Sequence, residues 1–235
     1  MNLLQSIVSG FRSVAFPEVC ASCGRPSEAG LLVCSYCVDS AFDDPNPLKG
    51  LSCDGVTLPD EIVFQDALWR FSKGSGMQDL LHELKYGGLS RAGEEMGRYL
   101  GTRLKEHPKV NAWLDAGEEI SLLPVPLHSA KQRKRGYNQA WHIAKGVSET
   151  HDIGVLPEGT VIRNRFTQTQ TGFTMEERLK NLSGAFTVND ITAIENRCLI
   201  IVDDVFTTGS TVFELASTSG MEKARAIGVA TVAFA

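Results

Sequence analysis

The chain has 235 residues, 43% hydrophobic and 22% charged, an ordinary composition for a folded protein with one full core. Its 23 Lys and Arg against 28 Asp and Glu give a formal net charge of −5, which excludes a protein that coats nucleic acid through a general positive field. No run approaches the roughly 18 apolar residues that span a bilayer, and the N-terminus lacks the basic and apolar regions of an export signal. A cytoplasmic location is expected, and any contact with nucleic acid must come from a local patch.

In chain order, Leu4, Ile7, Val8, Phe11 and Val14 follow helical spacing and predict a short amphipathic helix. Cys20 and Cys23 then form one C-x-x-C pair, and Cys34 and Cys37 a second, after ten intervening residues. Two such pairs can turn four thiolates toward one point and enclose a tetrahedral metal ion at roughly 2.3 Å per bond. A disulfide framework is disfavoured without export, and a redox dithiol needs one pair beside a βαβ unit, not two ahead of it. The reading is one structural zinc that stabilises a segment too short for its own core. Cys53 has no nearby partner, and Cys198 reads as a buried apolar side chain. A Pro/Gly/Asp-rich connector at 43–50 suggests a soft boundary, giving a small module over 1–55 and a larger body over 56–235.

The body alternates strand and helix signals. Strands are expected at 64–71, 119–127, 160–164, 198–204 and 226–235. Helices are expected at 77–86 (ended by Gly87 and Gly88), 90–106 (capped by Ser90), 138–150, 174–182 (with Thr174 and Glu177 in capping-box spacing) and 211–218. This order predicts an α/β fold, a mainly parallel sheet flanked by helices.

The run LIIVDDVFTTGST at 199–211 carries the most chemistry. A buried strand is expected to end at Asp203, beside Asp204, and Thr207, Thr208, Gly209, Ser210 and Thr211 lead into a helix. Ligands of open α/β sheets sit beyond the C-terminal ends of strands. Backbone N–H and hydroxyl groups in such a turn can hold a phosphate. The chain lacks G-x-x-x-x-G-K-[ST], so this is not a P-loop nucleotide site. Two carboxylates beside a phosphate repel it unless they accept hydrogen bonds from sugar hydroxyls or hold hydrated magnesium.

This run resembles the phosphoribosyl-pyrophosphate (PRPP) signature of type I phosphoribosyltransferases. The resemblance implies that Asp203 and Asp204 contact ribose hydroxyls and that Thr207 to Thr211 hold the 5-phosphate, with magnesium accompanying PRPP. LLPVPLHSAKQRKRGYNQA at 122–140, RNRFTQTQTGFTMEERLKNLSGAF at 163–186, HELKYGG at 82–88 and the paired cysteines narrow it. On these motifs the chain is identified as a member of the ComF (ComF/GntX-like) family. Many relatives carry a further cysteine pair where this chain has only Cys53, hence the expectation of one zinc and not two.

The resemblance places a pyrophosphate loop near 124–135. There Lys131, Arg133, Lys134 and Arg135 form the densest basic run, open to three readings: a pyrophosphate clamp, a DNA-backbone contact or a solvated turn. Tyr137 and Trp141 could stack on bases, though their four-residue spacing at a helix start is the pattern of a core face. In the polar stretch that begins at Phe166, the resemblance implies a loop closing over the site, with Gln170, Arg178 and Asn181 as matched positions. Two functions follow: PRPP-dependent ribosyl transfer, or a factor of DNA uptake that binds single-stranded DNA beside competence DNA-processing proteins. The acceptor is not readable.

Overall fold

The computed structural model describes residues 19–27, 31–46, 50–53, 55–86, 90–165 and 184–235. The expected N-terminal helix, the Gly87–Gly88 stop, the 174–182 helix with its capping box, and Gln170, Arg178 and Asn181 lie outside these residues.

Strands β1 (Ile62–Arg70), β2 (Ile120–Pro124), β3 (Gly154–Val155), β6 (Cys198–Phe206) and β7 (Ala226–Phe234) form one sheet in the order β1-β7-β6-β2-β3. Every pairing in it is parallel. β4 (Val161–Arg163) and β5 (Phe186–Val188) pair antiparallel outside it, so the expected strand at 160–164 is not a member of the main sheet. The helices are α1 (Gly76–Tyr86), α2 (Ser90–Lys105), α3 (Pro108–Asp115), α4 (Ser129–Arg135), α5 (Gln139–Thr150) and α6 (Ser210–Ala216). Among the described residues no helix is long and apolar enough to cross a membrane.

Pleat alternation divides the core. Cys198, Ile200 and Val202 face a layer with Leu80, Leu84, Met96, Leu100, Ile143 and Val147 from α1, α2 and α5. Leu199 and Ile201 face the opposite layer, with Val212 and Leu215 of α6 and Phe186 of β5. A strand covered on both faces reads as a continuous apolar run, which is why β6 is plain in the sequence.

Helices α2 and α5 cross closely over glycines. A Cβ on Gly97 would lie 2.1 Å from the Ile143 carbonyl oxygen, and one on Gly146 would lie 2.0 Å from that of Glu94. Residues 43–46 are pinned to the body by Arg103, whose guanidinium donates to both carboxylate oxygens of buried Asp66 and to both of Asp44. That fork-to-fork geometry is the strong form of a charged hydrogen bond.

β6 outruns its neighbour. β2 pairs with it only as far as Pro124 opposite Val202, whereas β7 stays paired to Phe206. The expectation that the strand ends at Asp203 is therefore corrected. The acids lie inside a strand that keeps one paired edge, because β7 offers a full ladder there and overrides the poor strand propensity of Asp.

Candidate functional site

Sequence neighbours β2 and β3 lie to one side of β6, and β7 lies to the other. The gap between the C-terminal ends of β2 and β6 is thus the point where strand order reverses, the usual ligand crevice of an open α/β sheet. Asp203 and Asp204 stand in that gap.

The pleat starts the two acids on opposite faces, and their surroundings differ. Asp204 is buried, and its Oδ2 lies 2.9 Å from Lys85 Nζ, at the end of α1. Asp203 is half-buried, and its Oδ1 accepts the Asp204 N–H at 2.8 Å. Burial works to raise the pKa of both carboxyls. For Asp204 the Lys85 ammonium outweighs burial and holds it below the ordinary value. Asp203 is raised well above the ordinary value by burial and by the charge of Asp204. The two acids therefore titrate as a coupled pair.

The turn after β6 has a single conformation that fits it. Gly209 has φ of +74°, and a Cβ there would lie 2.5 Å from the Phe213 ring and 2.8 Å from that of Phe206. Only glycine meets both demands. The Thr208 and Ser210 hydroxyls share a 2.6 Å hydrogen bond, Thr207 is exposed, and Ser210 and Thr211 open α6.

The basic run is helical, not a turn. It forms α4, whose first turn is capped by His128 Nδ1 accepting from the Ala130 N–H and whose end is set by Gly136 at φ of +86°. The helix sorts its cations. Arg133 and Lys134 are exposed. Lys131 and Arg135, one turn apart, are half-buried, and burial and then the charges of Arg163 and Arg135 lower the Lys131 pKa. Arg163, from β4, is itself lowered by burial, with Asp203 opposing. A cavity of about 470 Å³ opens beside α4, walled by Leu123, Pro126, Gln132, Trp141, Leu156 and Arg163.

The R-G-Y-N-Q-A run proves to be a seat for α5. Arg135 donates to Gln139 Oε1, and the Tyr137 hydroxyl donates to the Leu84 carbonyl at 2.7 Å. Asn138 caps α5 through the Ala140 N–H, while its amide donates to the Val125 carbonyl. Tyr137 is half-buried ahead of α5, and Trp141 is half-buried in the cavity wall.

All four paired cysteines converge. Their Sγ atoms lie within 4.8 Å of one another, with Cys20–Cys37 at 3.8 Å and Cys23–Cys34 at 3.7 Å. All are free thiols, so a disulfide framework is not what the fold builds. A tetrahedral ion with 2.3 Å bonds separates its sulfurs by about 3.8 Å, so the cluster fits zinc. Burial opposes ionisation of Cys20, yet N–H donors from Cys34, Cys23 and Ser22 outweigh it and bring its thiol down to about 7. Cys53 is buried apart, with its thiol pushed up to about 11 by burial and Asp66, and Cys198 is a core side chain as expected.

Lys85 and Arg163 are the site residues that sequence reasoning missed. Both stand inside quoted family motifs, but a lone lysine in a last helical turn reads as a partner of the helix dipole.

The fold and its cysteine cluster define a mainly parallel α/β protein with a small N-terminal centre able to hold zinc. No protein-family model matches the chain. It is 29% identical over 198 residues to the DNA utilization protein YhgH of Escherichia coli (strain K12), covering 84% of this chain and 76% of that protein. The YhgH of Salmonella typhimurium is 29% identical over 203 residues, 85% of this chain and 76% of its own length. Competence protein F of Haemophilus influenzae is 38% identical over 96 residues, 40% of this chain and 42% of that protein. These relatives support a ComF-family assignment.

Proposed function

We propose that this chain is a cytoplasmic ComF-like protein of phosphoribosyltransferase fold that binds PRPP with magnesium and serves DNA uptake. The observation that carries the reading is the acid pair and its Thr/Gly/Ser turn at the reversal point of strand order. In this reading Thr207, Thr208, Gly209, Ser210 and Thr211 hold the 5-phosphate, and the Asp203–Asp204 pair serves the ribose hydroxyls, with Asp203 in contact and the buried, Lys85-paired Asp204 behind it. Lys131, Arg135 and Arg163 meet the pyrophosphate, since the charges of Arg163 and Arg135 both bear on Lys131 and a polyanion would offset them. Magnesium suits a site with one or two carboxylates and ligand phosphates, where it would neutralise pyrophosphate charge. The cysteine cluster is assigned to a module over 1–55, the donor site to a body over 56–235. Supporting the link to DNA are the names of the relatives, a DNA utilization protein and a competence protein.

Calorimetric titration with PRPP and magnesium tests the reading. Saturable binding to the wild type, lost in Asp203→Ala/Asp204→Ala, supports it, and heat unchanged by that double substitution sinks it. Whether a ribosyl group is then transferred is settled by pyrophosphate release across nucleobases and amines.

A second reading, single-stranded DNA binding, is favoured by the exposure of Arg133 and Lys134 on the outer side of α4. Its log–log salt slope would be roughly −0.7 per phosphate contact. Neutralising both residues should weaken binding and flatten that slope; a slope that does not change removes α4 from the interface.

A further inference from the structure

We propose that Lys85 is a positioning residue for the donor site, fixing Asp204 so that Asp203 is the acid left open to the ligand. The inference rests on the PRPP reading above.

Three observations fix the lysine. Its Nζ lies 2.9 Å from Asp204 Oδ2, with 31% of the lysine side chain exposed against 7% of the aspartate. The helix that carries it is braced at both ends. At the start of α1, Gly76 is pressed so closely on the first cysteine knuckle that a Cβ would lie 2.0 Å from Ser22 Oγ. At its end the Tyr137 hydroxyl ties down the Leu84 carbonyl, one residue before Lys85. Burial and the charge of Arg135 act against its ammonium form, and Asp204, with Asp203 behind it, more than offsets them.

The consequence is a division of labour. Asp204 is sealed under α1 and cannot swing to a second partner without leaving Lys85. Asp203, on the other face of the strand and half-exposed, can. Lys85 is not among the residues that wall the cavity, and its ion pair is with Asp204, through which it acts.

A double-mutant cycle read by calorimetry with PRPP and magnesium tests this. Lys85→Met should weaken binding at least about tenfold, because it strips the partner from a buried carboxylate. Lys85→Arg should recover most of the loss, and thermal melts establish that each variant is folded. In an Asp204→Asn background, Lys85→Met should change binding by less than about twofold. If the two losses multiply, or Lys85→Met binds like the wild type, Lys85 is a packing residue only and the inference falls. If the wild type itself takes up no PRPP, the donor-site reading fails first and carries this inference with it.

Discussion

Glu95, buried in the middle of α2, accepts hydrogen bonds from the N–H groups of Leu32 and Val33, the two residues that lead into Cys34. One carboxylate thus caps the backbone of the cysteine segment from the body of the protein. Glu95→Ala leaves those donors without it and should cost roughly 2–4 kcal/mol. Urea unfolding followed by tryptophan fluorescence measures this, and Glu95→Gln should lose less.

Zinc retention should depend on a position that carries no ligand. Gly76→Ala drives a methyl into Ser22, whose carbonyl oxygen would be 2.4 Å away. Backbone cannot rotate aside as a side-chain tip can, so the knuckle must lift from α1. Purified wild type should carry one zinc per chain. The Gly76→Ala protein should release it to a chelator at least about tenfold faster, with a destabilisation of about 1–3 kcal/mol. Equal release rates would show that the knuckle is not seated on α1.

Stability should fall on mild acidification through His151. It is 8% exposed, and its buried Nε2 meets no hydrogen-bond partner among the described residues. Burial, then the charge of Lys105, lowers its pKa below the ordinary 6.5. As pH drops, the unfolded chain takes up the proton first, so stability is fully present above about 6.5 and is lost as pH falls through the lower folded value. Melting curves from pH 8 to 5.5 should show a smaller decline in His151→Leu than in the wild type.

Gly209→Ala combines left-handed backbone strain with a clash against the Phe206 and Phe213 rings. A cost of about 1–3 kcal/mol is expected. The measurable signature is a loss of PRPP affinity that exceeds the loss from Thr207→Ala, since Thr207 is exposed and supports no packing.

Local information made much of this molecule legible. A strand buried on both faces has to be apolar along its length, so β6 and β7 stand out, and cysteine pairs with two residues between them declare a knuckle by themselves. What escaped depends on distant partners. β3 is two residues long and exists because β2 lies beside it. The strand at Asp203 continues because β7 does. α4 carries four cations and none of its residues is buried, so no apolar stripe announces a helix. The Lys85–Asp204 pair joins residues far apart in sequence, and nothing local to either predicts the other. The two acids, read together as equals, are separated by the pleat and by a lysine that only the fold brings to them.

The seating of α5 changes what a shared motif means. In R-G-Y-N-Q-A, the arginine holds a glutamine, the tyrosine a carbonyl of α1 and the asparagine a carbonyl beyond β2. Each contact ends on the protein's own chain. Two proteins that match along Gly136 to Ala140 inherit the same architecture at the rim of the crevice, and that part of the inheritance is silent about the reaction. Divergence in chemistry among such relatives should therefore be sought at the half-exposed Asp203 and on the outer side of α4, where Arg133 and Lys134 are exposed.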